Sequence, residues 1–470
     1  MKILLISPPD SNEILSCNPE LVKKERGCDP PLGLLYLAGY LEKQPGLEIK
    51  VLDTQVEKLD YRQIEERVRE FMPDVVGMTI MTFTIFDVLE VVKIVKKISP
   101  TIKVALGGPH AHIYPKETLD LPGVDFAILG EGEAALAGLL ANINQPEKLK
   151  MVKNLAFKHN GQFINTGVQD FIKDLDSLPF PARHLVPYKK YTNLLAKKTP
   201  HTTMFTSRGC PYQCTFCDRP TMGRFFRARS AKNIVDEMAQ CVKMGIEEIF
   251  IYDDTFTVDR QRVIAICDEI QRRGLKFTWD IRARVNTVDE EVLTKLKAAG
   301  CERIHYGVEA GTEKILKVLN KGIHLDQALA VFRLTQKIGI STFAYFMIGA
   351  PEETKADVLA SIEFAKKLNP AFVQVTTLTP FPATKIYLDA LATGQISNDY
   401  WLEFARHPKR DFQTPHWTKI LSEEELRELS TRFYKEFYVR PGYIFKQLLQ
   451  IRSLGELIKK SKAGLKIIFS

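Results

Sequence analysis

Three cysteines in the spacing C-x3-C-x2-C, Cys210, Cys214 and Cys217, constrain this chain more than any other feature. They follow an apolar, β-branched run at 202–206 that predicts a strand, and a glycine and a proline then break that strand. Thiolates are the ligands that iron–sulfur clusters prefer, and such clusters normally take four. A tight loop that supplies three therefore predicts a [4Fe–4S] cluster with one iron left open for a substrate or cofactor.

Structural zinc is the alternative for these thiols. Zinc takes four ligands in a structural site, usually as two close pairs, and no second pair of cysteines or histidines lies near the loop. Cys241, Cys267 and Cys301 fall within apolar helix or strand patterns, where a cysteine packs as a small hydrophobic side chain. The ligand count and the spacing therefore favour an iron–sulfur cluster.

The cysteine loop resembles the signature of radical S-adenosylmethionine (SAM) enzymes, in which an aromatic residue, here Phe216, stands directly before the third cysteine. The segment from Cys217 to Arg224 resembles the class B subgroup, the radical SAM methyltransferases and oxidative cyclases that carry an N-terminal cobalamin-binding domain. The resemblance implies that the open iron chelates SAM and that Phe216 belongs to the cofactor site. It also implies that an electron from the cluster cleaves SAM to a 5′-deoxyadenosyl radical.

Residues 1–145 alternate short apolar strands with helices, which predicts an α/β fold with a doubly wound, Rossmann-like parallel sheet. We predict strands at 3–6, 49–53, 75–80, 103–106 and 126–129, and helices at 32–41, 61–71 and 86–98. Such sheets bind ligands at the carboxyl ends of their strands. Seven hydroxyl-bearing, glycine or ionisable residues follow three of these strands: Thr79, Thr82, Gly107, Gly108, His110, Gly130 and Glu131.

This layout resembles the cobalamin-binding domain of the family, in which a Ser/Thr-rich turn and a Gly-Gly turn accommodate the nucleotide tail. Better-known cobalamin modules carry the motif DxHxxG after the first strand, and its histidine ligates cobalt. Residues 7–31 contain no histidine, so we predict a cobalt without a histidine ligand from this loop, which favours the Co(I) state. His110 and His112 are the remaining candidate ligands; contact with the cofactor periphery or capping of a turn is the alternative for both.

A response-regulator-like or nucleotide-binding sheet is the alternative for this domain. The first strand is not followed by the G-x-G-x-x-G of dinucleotide-binding folds, and the chain has no P-loop. The sequence therefore disfavours dinucleotides and nucleoside triphosphates as ligands.

Residues 146–200 are predicted to be a linker, and their proline-rich stretch 174–183 resembles the linker of the subgroup. Beyond the cysteine loop, strands are predicted at 247–252, 276–281, 302–308, 341–348 and 371–378, with helices between them. With the strand before the cysteines these make six βα units, which predicts a partial (β/α)6 radical SAM barrel over residues 201–400. Such barrels place their chemistry at the carboxyl ends of the strands.

Four residues at those strand ends are predicted to bind SAM. The resemblance implies that Asp253 or Asp254 holds the SAM amino group and that Glu309, within a G-x-E-x-G sequence, contacts SAM. A guanidinium fork suits the SAM carboxylate, and Arg282 is predicted to supply it; Arg284 stands near the end of the same strand. Helix capping is the alternative for each aspartate, and an exposed ion pair is the alternative for Arg282. No residue is predicted to act as a general base or to quench a radical.

Residues 401–470 are predicted to be a C-terminal helical region. A helix from Leu421 to Tyr438 opens with a capping box of Ser422 and Glu425. Residues 444–468 alternate Leu and Ile with Lys and Arg. That pattern fits a lid, a basic helix in peripheral contact with a membrane, or packing against the barrel.

Composition sets limits on location and partners. The 470 residues carry a net charge of +8, too dilute to indicate nucleic acid, and no aromatic residues interleave with a basic run. The N-terminus lacks the features of a signal peptide, and no apolar stretch reaches the ~18 residues of a transmembrane helix. The eight cysteines suit a reducing compartment, so we expect a cytoplasmic protein.

The resemblance extends from the N-terminus to about residue 400. It implies a cobalamin-dependent radical SAM methyltransferase that acts on an unactivated carbon through methylcobalamin and the 5′-deoxyadenosyl radical. A small molecule or a lipid would be the substrate, and a flavodoxin- or ferredoxin-type donor would supply the electron. An oxidative cyclase, or another radical enzyme that transfers no methyl group, is the first alternative. A non-catalytic cobalamin or iron–sulfur sensor is the second.

Overall fold

The structure, a computed structural model, describes residues 1–14, 27–168, 170–217, 223–414, 416–417 and 419–449. Its strands are β1 (Lys2–Ser7), β2 (Gly27–Cys28), β3 (Glu48–Asp53), β4 (Val75–Thr79), β5 (Lys103–Gly107), β6 (Phe126–Ile128), β7 (Leu155–His159), β8 (Gln162–Asn165), β9 (Thr192–Asn193), β10 (His201–Met204), β11 (Ser207–Arg208), β12 (Arg227–Ala228), β13 (Glu248–Ile251), β14 (Thr278–Ala283), β15 (Cys301–Glu309), β16 (Ser341–Ile348) and β17 (Phe372–Thr377).

Its α-helices are α1 (Leu32–Leu41), α2 (Thr54–Glu57), α3 (Tyr61–Phe71), α4 (Ile85–Ile98), α5 (Pro109–Ile113), α6 (Pro115–Asp120), α7 (Glu133–Asn142), α8 (Pro146–Leu149), α9 (Ala231–Lys243), α10 (Arg260–Arg272), α11 (Glu290–Ala298), α12 (Glu313–Val318), α13 (Leu325–Lys337), α14 (Lys355–Leu368), α15 (Lys385–Ala392), α16 (Tyr400–Arg406), α17 (Glu423–Tyr438) and α18 (Pro441–Leu449).

The N-terminal sheet has the strand order β3-β1-β4-β5-β6-β7-β8, and its first five strands are parallel. Strands β1, β4, β5 and β6 are buried on both faces, because α1 and α7 pack on one face and α3 and α4 on the other. Burial on both faces explains why these strands read as continuous apolar runs rather than alternating ones. The doubly wound α/β prediction is confirmed, and the predicted strands and helices agree with the observed ones within two residues.

Two antiparallel strands, β7 and β8, extend this sheet beyond β6. The prediction that residues 146–200 form only a linker was therefore wrong for residues 155–165, which belong to the N-terminal sheet. The strand β6 is three residues long, and β7 pairs with the backbone edge that it would otherwise expose. Strands β7 and β8 are short and partly exposed, so their hydrophobic pattern is weak.

The proline-rich stretch beyond β8 packs closely against α1. Ala182 N donates a hydrogen bond to Leu35 O at 3.0 Å. A Cβ atom on Gly39 would lie only 2.4 Å from Phe180 O, so glycine permits the contact. This stretch is therefore fixed to the N-terminal domain where it leads into the second sheet.

The second sheet has the order β10-β13-β14-β15-β16-β17, and all its strands are parallel. Helices α9, α10, α11, α13 and α14 bury their apolar faces against it. Six parallel strands with outer helices form the predicted partial barrel, and each predicted strand is confirmed. Strand β14 continues to Ala283, so Arg282 lies inside the strand rather than after it.

Helix α17 covers the free edge of this open barrel through two tyrosines. Tyr434 OH accepts from Val375 N at 3.0 Å and donates to Val375 O at 3.1 Å. Tyr438 OH makes the same pair of bonds to Val373, at 2.9 and 2.8 Å. The hydroxyls thus satisfy backbone groups that an edge strand leaves unpaired.

The C-terminal prediction is confirmed for this helix, including the capping box of Ser422 and Glu425. Helix α18 covers the beginning of the basic stretch, and residues 450–470 of that stretch lie outside the described residues. Within the described part of the chain, no helix combines the length and the apolar character needed to cross a membrane.

Candidate active site

The cysteine loop is carried on a small antiparallel ribbon. In it β11 pairs with β12, with Ser207 opposite Ala228 and Arg208 opposite Arg227. The loop starts at Gly209 and returns through Gly223, whose φ angles of 80° and 89° lie in the left-handed region that favours glycine. The ribbon therefore fixes both ends of the loop that carries the three thiols.

The three thiols differ in burial. Cys214 is buried, Cys210 is half-buried and Cys217 is exposed, and none of the three is in a disulfide. Arg284 Nη1 donates to Cys214 Sγ at 3.5 Å, and Cys210 Sγ lies 3.8 Å from Thr255 Oγ1. Among the described residues, no group of three or more His, Cys, Asp or Glu side chains is arranged to hold a metal ion. Cluster ligation by these cysteines thus rests on their number and spacing and stays a prediction.

Glu309, at the end of β15, forms a buried ion pair beside the cysteine loop. Lys321 Nζ donates to Glu309 Oε1 at 2.6 Å and lies 5.9 Å from the ring centre of Phe216. Glu309 has a φ of 71°, an uncommon conformation for a residue other than glycine. A Cβ atom on Gly307 would lie 2.4 Å from Glu309 Oε1, so this sequence position needs a glycine. Lys321 therefore lies near both Glu309 and Phe216, and the contact of these two residues with SAM stays a prediction.

The two aspartates after β13 have different surroundings. Asp253 is buried and accepts hydrogen bonds from the backbone N–H and the hydroxyl of both Thr206 and Ser207. Arg262 Nη2 lies 3.6 Å from its Oδ2. Asp254 is exposed. The structure thus shows Asp253 fixing the chain just before the cysteine loop, and it leaves Asp254 as the aspartate accessible to a cofactor.

Arg282 lies within β14, two residues before Arg284. Its guanidinium stacks on the Tyr252 ring at 4.0 Å and is hydrogen-bonded to Tyr345. Tyr252 OH in turn donates to Asp29 Oδ2 at 2.5 Å. The surface ion pair considered for Arg282 is wrong, because the side chain is half-buried among aromatic rings.

Below Arg282 the barrel interior holds a hydrogen-bonded series of polar residues. His305 Nδ1 lies 2.9 Å from Tyr345 OH, and its Nε2 lies 3.1 Å from Asp280 Oδ2. Burial lowers the pKa of His305, against the opposing effect of Asp280. A neutral His305 can donate from Nε2 to Asp280 and accept at Nδ1 from the tyrosine hydroxyl.

Sequence reasoning missed two residues of this region. Lys321 contacts Glu309, and Asp29 reaches the barrel from the N-terminal loop. Arg284, which the sequence offered beside Arg282 for the SAM carboxylate, contacts Cys214 Sγ. Nothing in the sequence distinguishes Lys321 or Asp29 from an ordinary surface charge, because their partners are distant along the chain.

The carboxyl edge of the N-terminal sheet gathers the residues predicted to hold cobalamin. Thr79 and Gly107 are paired at the ends of β4 and β5. A Cβ atom on Gly108, whose φ is 110°, would lie 3.0 Å from both Ile80 O and Thr79 Cγ2. Gly130, with a φ of 57°, begins the next turn. These glycines let the backbone of three turns approach one another and a ligand closely.

Two histidines lie in the same edge. Thr82 Oγ1 is hydrogen-bonded to His110 Nδ1 at 3.0 Å, and His112 Nδ1 accepts from Gly130 N at 3.2 Å. His110 is fully buried, and burial lowers its pKa to about 4. Its Nε2 has no hydrogen-bond partner among the described residues. A neutral, buried ring nitrogen of this kind can take a hydrogen bond from a bound cofactor, so the site fits the cobalamin prediction.

Glu131, also predicted to touch the cofactor, reaches the other domain instead. Its Oε1 lies 2.7 Å from Arg208 Nη1 and 2.9 Å from Arg227 Nη1. Arg208 Nη2 also binds Glu133 Oε1 at 2.6 Å. Contact of the Glu131 side chain with cobalamin stays a prediction, and in the structure the carboxylate binds the ribbon that carries the cysteine loop.

A second contact joins the two carboxyl edges. The ring centre of Phe83, in the turn after β4, lies 5.3 Å from that of Phe381, in the turn after β17. Trp401 from α16 packs against both rings, at 6.3 and 6.1 Å. The carboxyl ends of the two parallel sheets therefore face each other.

A cavity of about 540 Å³ lies between the N-terminal domain and the C-terminal region. Ile14, Phe86 and Phe412 line it together with Arg410 and Arg427. None of the predicted site residues lines this cavity.

Two families match the sequence of the chain. Residues 21–140 match the B12 binding domain, and residues 204–365 match the Radical SAM superfamily. The first match covers the sheet edge with His110 and Glu131, and the second covers all three loop cysteines.

Similar proteins span nearly the whole chain. An uncharacterized methyltransferase of Pyrococcus horikoshii is 32% identical over 469 residues, which cover 99% of this chain and 98% of the relative. An anaerobic magnesium-protoporphyrin IX monomethyl ester cyclase of Cereibacter sphaeroides is 29% identical over 88% of this chain and 68% of the relative. The solved structure of OxsB, a cobalamin-dependent SAM radical enzyme with aqua-cobalamin and SAM bound, has a TM-score of 0.76 at 17% identity. It covers 99% of this chain and 72% of that chain, and it shows a shared fold.

The fold and the site together define an enzyme in which a radical SAM barrel faces a B12-binding sheet. The chain belongs to the family of radical SAM enzymes that carry an N-terminal cobalamin-binding domain. Its cofactors are a [4Fe–4S] cluster, SAM and cobalamin. Enzymes of this class act on small molecules and need an external reductant.

Proposed function

We propose that this protein is a cobalamin-dependent radical SAM methyltransferase that methylates an unactivated carbon of a small molecule or a lipid. The carboxyl edges of the two sheets face each other, which supports the proposal, because cobalamin is proposed to bind at one edge and SAM at the other. Phe83 against Phe381 and Glu131 against Arg208 hold these edges together. The similarity to a methyltransferase over nearly the full chain supports the same reaction type.

When bound, the three cofactors supply the electron, the radical and the methyl group. The residues of this chain bind, orient and shield them. In our proposal Cys210, Cys214 and Cys217 ligate the cluster, and Arg284 stabilises the charge on the Cys214 sulfur through its N–H···S contact.

Four residues are proposed to position SAM. Lys321 and Glu309 present one cation and one carboxylate beside Phe216, which suits the zwitterionic methionine end of SAM. Asp254, exposed next to the cysteine loop, is the proposed partner of the SAM ammonium. Arg282 is the proposed partner of the carboxylate, and its stacking on Tyr252 fixes its orientation.

The cobalamin site is proposed at Thr79, Thr82, Gly107, Gly108 and Gly130. In our proposal the absence of side chains at the glycines lets the nucleotide tail approach the backbone of these turns. His110 is the proposed contact for the cofactor periphery through its buried Nε2.

A cyclase-type reaction without methyl transfer is the second candidate. The similarity to an anaerobic magnesium-protoporphyrin IX monomethyl ester cyclase supports it. The two candidates differ in their products, since only methyl transfer converts SAM to S-adenosylhomocysteine.

We further propose a flavodoxin- or ferredoxin-type donor and a cytoplasmic location. The exposed Cys217 offers a short path from the protein surface to the cluster. None of the cysteines that the structure describes is in a disulfide, which suits a reducing compartment. Contact of the basic C-terminal stretch with a membrane surface stays a prediction.

The test is an anaerobic assay of the reconstituted enzyme with cobalamin, SAM and a low-potential reductant. We expect both S-adenosylhomocysteine and 5′-deoxyadenosine from the native protein. C214A is expected to lose the iron and both products, whereas C241A, which removes another buried thiol, is expected to retain them. Deoxyadenosine without S-adenosylhomocysteine would favour the cyclase-type reaction. The absence of both products from fully loaded protein would contradict an enzymatic role.

A further inference from the structure

Two arginines on opposite strands of the ribbon share one carboxylate of the N-terminal domain. Arg208 enters the cysteine loop on β11, and Arg227 leaves it on β12. Arg208 Nη1 lies 2.7 Å and Arg227 Nη1 lies 2.9 Å from the same Oε1 of Glu131. Both ends of the loop are thereby tied to one atom of the other domain. We call these three residues the interdomain clamp.

The clamp is closed on every side by further hydrogen bonds. Ile172 N donates to Glu131 Oε2 at 2.7 Å, and Arg227 Nη1 donates to Ile172 O at 2.7 Å. Arg208 Nη2 binds Glu133 at 2.6 Å. The side chains of all three clamp residues are less than 10% exposed. Such a network has one low-energy arrangement, because each displacement breaks several charged hydrogen bonds in a low dielectric.

The charge on Glu131 is stable in this setting. Burial opposes ionisation of the carboxyl group, but the hydrogen bonds and charge of Arg208, together with hydrogen bonds from Ile172 N and Arg227, lower the pKa of Glu131. The carboxylate is therefore ionised and its lone pairs are used within the protein.

The position of the clamp links the two cofactor sites. Glu131 directly follows Gly130 at the carboxyl edge of the N-terminal sheet, and Arg208 stands two residues before Cys210. A buried ion pair adds little stability over well-packed apolar residues, whereas the planar arginine fork fixes orientation. The arrangement thus favours a role in geometry over a role in stability alone.

We propose that the interdomain clamp is a positioning device that holds the cysteine loop, and with it SAM, at the distance from cobalamin that methyl transfer requires. The proposal rests on the proposed methyltransferase function. Radical formation needs only the barrel, whereas methylation of cobalamin needs SAM and cobalamin at a fixed distance and orientation. Loss of the clamp should therefore affect the two products of SAM unequally.

The first test uses the full-length protein without cofactors and measures amide hydrogen exchange. E131Q removes the shared charge, and R227M removes one of the two arginines while keeping an unbranched side chain. Both are expected to raise exchange at least fivefold in the peptides that contain β11 and β12. K96M is the matched control, because it breaks the half-buried pair with Asp125 inside the N-terminal domain alone. It is expected to leave the ribbon peptides unchanged.

The second test measures both SAM products in the reconstituted variants. E131Q is expected to lower S-adenosylhomocysteine formation at least tenfold while 5′-deoxyadenosine formation stays within twofold of native. R227M should shift the product ratio in the same direction but less, because Arg208 still binds Glu131 and Glu133. If E131Q does not fold, R227M carries the test.

Two results would overturn the proposal. One is unchanged hydrogen exchange in the ribbon of the clamp variants, and the other is an equal loss of both products, which general destabilisation would cause. A native enzyme that makes no S-adenosylhomocysteine would instead contradict the methyltransferase function. The exchange experiment would still decide whether the clamp holds the ribbon.

Discussion

Lys321 Nζ lies 2.6 Å from Glu309 Oε1, in a buried pair that joins the end of β15 to the turn after α12. Glu309 adopts a positive φ, and a side chain at position 307 would clash with the pair, so Gly307 is needed there. Strain of this kind is retained where a site needs it. The pair therefore holds the carboxylate of Glu309 in one buried orientation.

Replacing Lys321 by methionine should leave Glu309 buried and without its cation. We expect K321M to destabilise the protein by about 3 kcal/mol, because removal of one partner from a buried pair costs that much. E309Q should weaken SAM binding about tenfold, equivalent to about 1.4 kcal/mol. Thermal unfolding and equilibrium dialysis of SAM would measure the two effects. K314M, which breaks the more exposed pair with Asp357, should change neither the stability nor the affinity for SAM. An unaltered SAM affinity of E309Q would contradict the proposed contact between Glu309 and SAM.

The two aspartates after β13 should separate by their effects. D253N is expected to cost about 2 kcal/mol of stability, since two of its bonds come from backbone N–H groups and two from hydroxyls in a buried site. D254N should leave the unfolding temperature within about 1 °C of native, because exposed substitutions change stability little. In our proposal it weakens SAM binding instead. Calorimetry with and without SAM would compare the variants, and a large loss of stability in D254N would be against this assignment.

His110 and Glu353 should give the protein opposing responses to pH. The pKa of His110 is lowered to about 4 by burial, so its contribution to stability is lost as the pH falls from about 6.5 to 4. The pKa of Glu353 is raised to about 7, also by burial, so its contribution is lost as the pH rises from about 4.5 to 7. Each term amounts to about 3 kcal/mol, and the two offset each other between pH 4.5 and 6.5.

Single variants should reveal these hidden terms. The difference in unfolding free energy between H110N and the native protein should shift in favour of H110N when the pH is lowered from 7 to 5. The corresponding difference for E353Q should shift in favour of E353Q when the pH is raised from 5 to 8. Denaturant unfolding at these pH values would measure the differences. A parallel pH profile for both variants and the native protein would show that neither group titrates as its burial indicates.

The edge strand β17 should depend on hydroxyls of α17. Y434F removes one group that both accepts from and donates to Val375, so about 1–2 kcal/mol of stability should be lost. Y443F removes a single bond, to Ala371 O, and is expected to cost less. Thermal unfolding and light scattering would follow stability and association, since an unpaired edge favours association. Equal effects of the two variants would argue against edge protection by Tyr434.

The sequence by itself determined the parallel strands of the two large sheets, the helices between them and their order. Apolar runs of strand length alternate with amphipathic helices, and this local periodicity reflects burial on one or both faces of each element. The residues of the C-x3-C-x2-C loop stand close together in the chain, so their spacing carried the cluster prediction. The same holds for Gly307 and Glu309, which lie on one strand end.

Only the tertiary structure decided which charges meet. Lys321 and Glu309 are twelve residues apart, and Glu131 and Arg208 are 77 apart. No local pattern distinguishes such residues from solvated surface charges, because their burial depends on how two sheets pack. The same packing separated Asp253 from Asp254, which the sequence had left equivalent, and it joined β7 and β8 to a sheet whose edge they cover. The hydrophobic periodicity of an element reflects the burial of that element alone. A buried ion pair depends on how two elements pack, and this packing exists only in the folded chain.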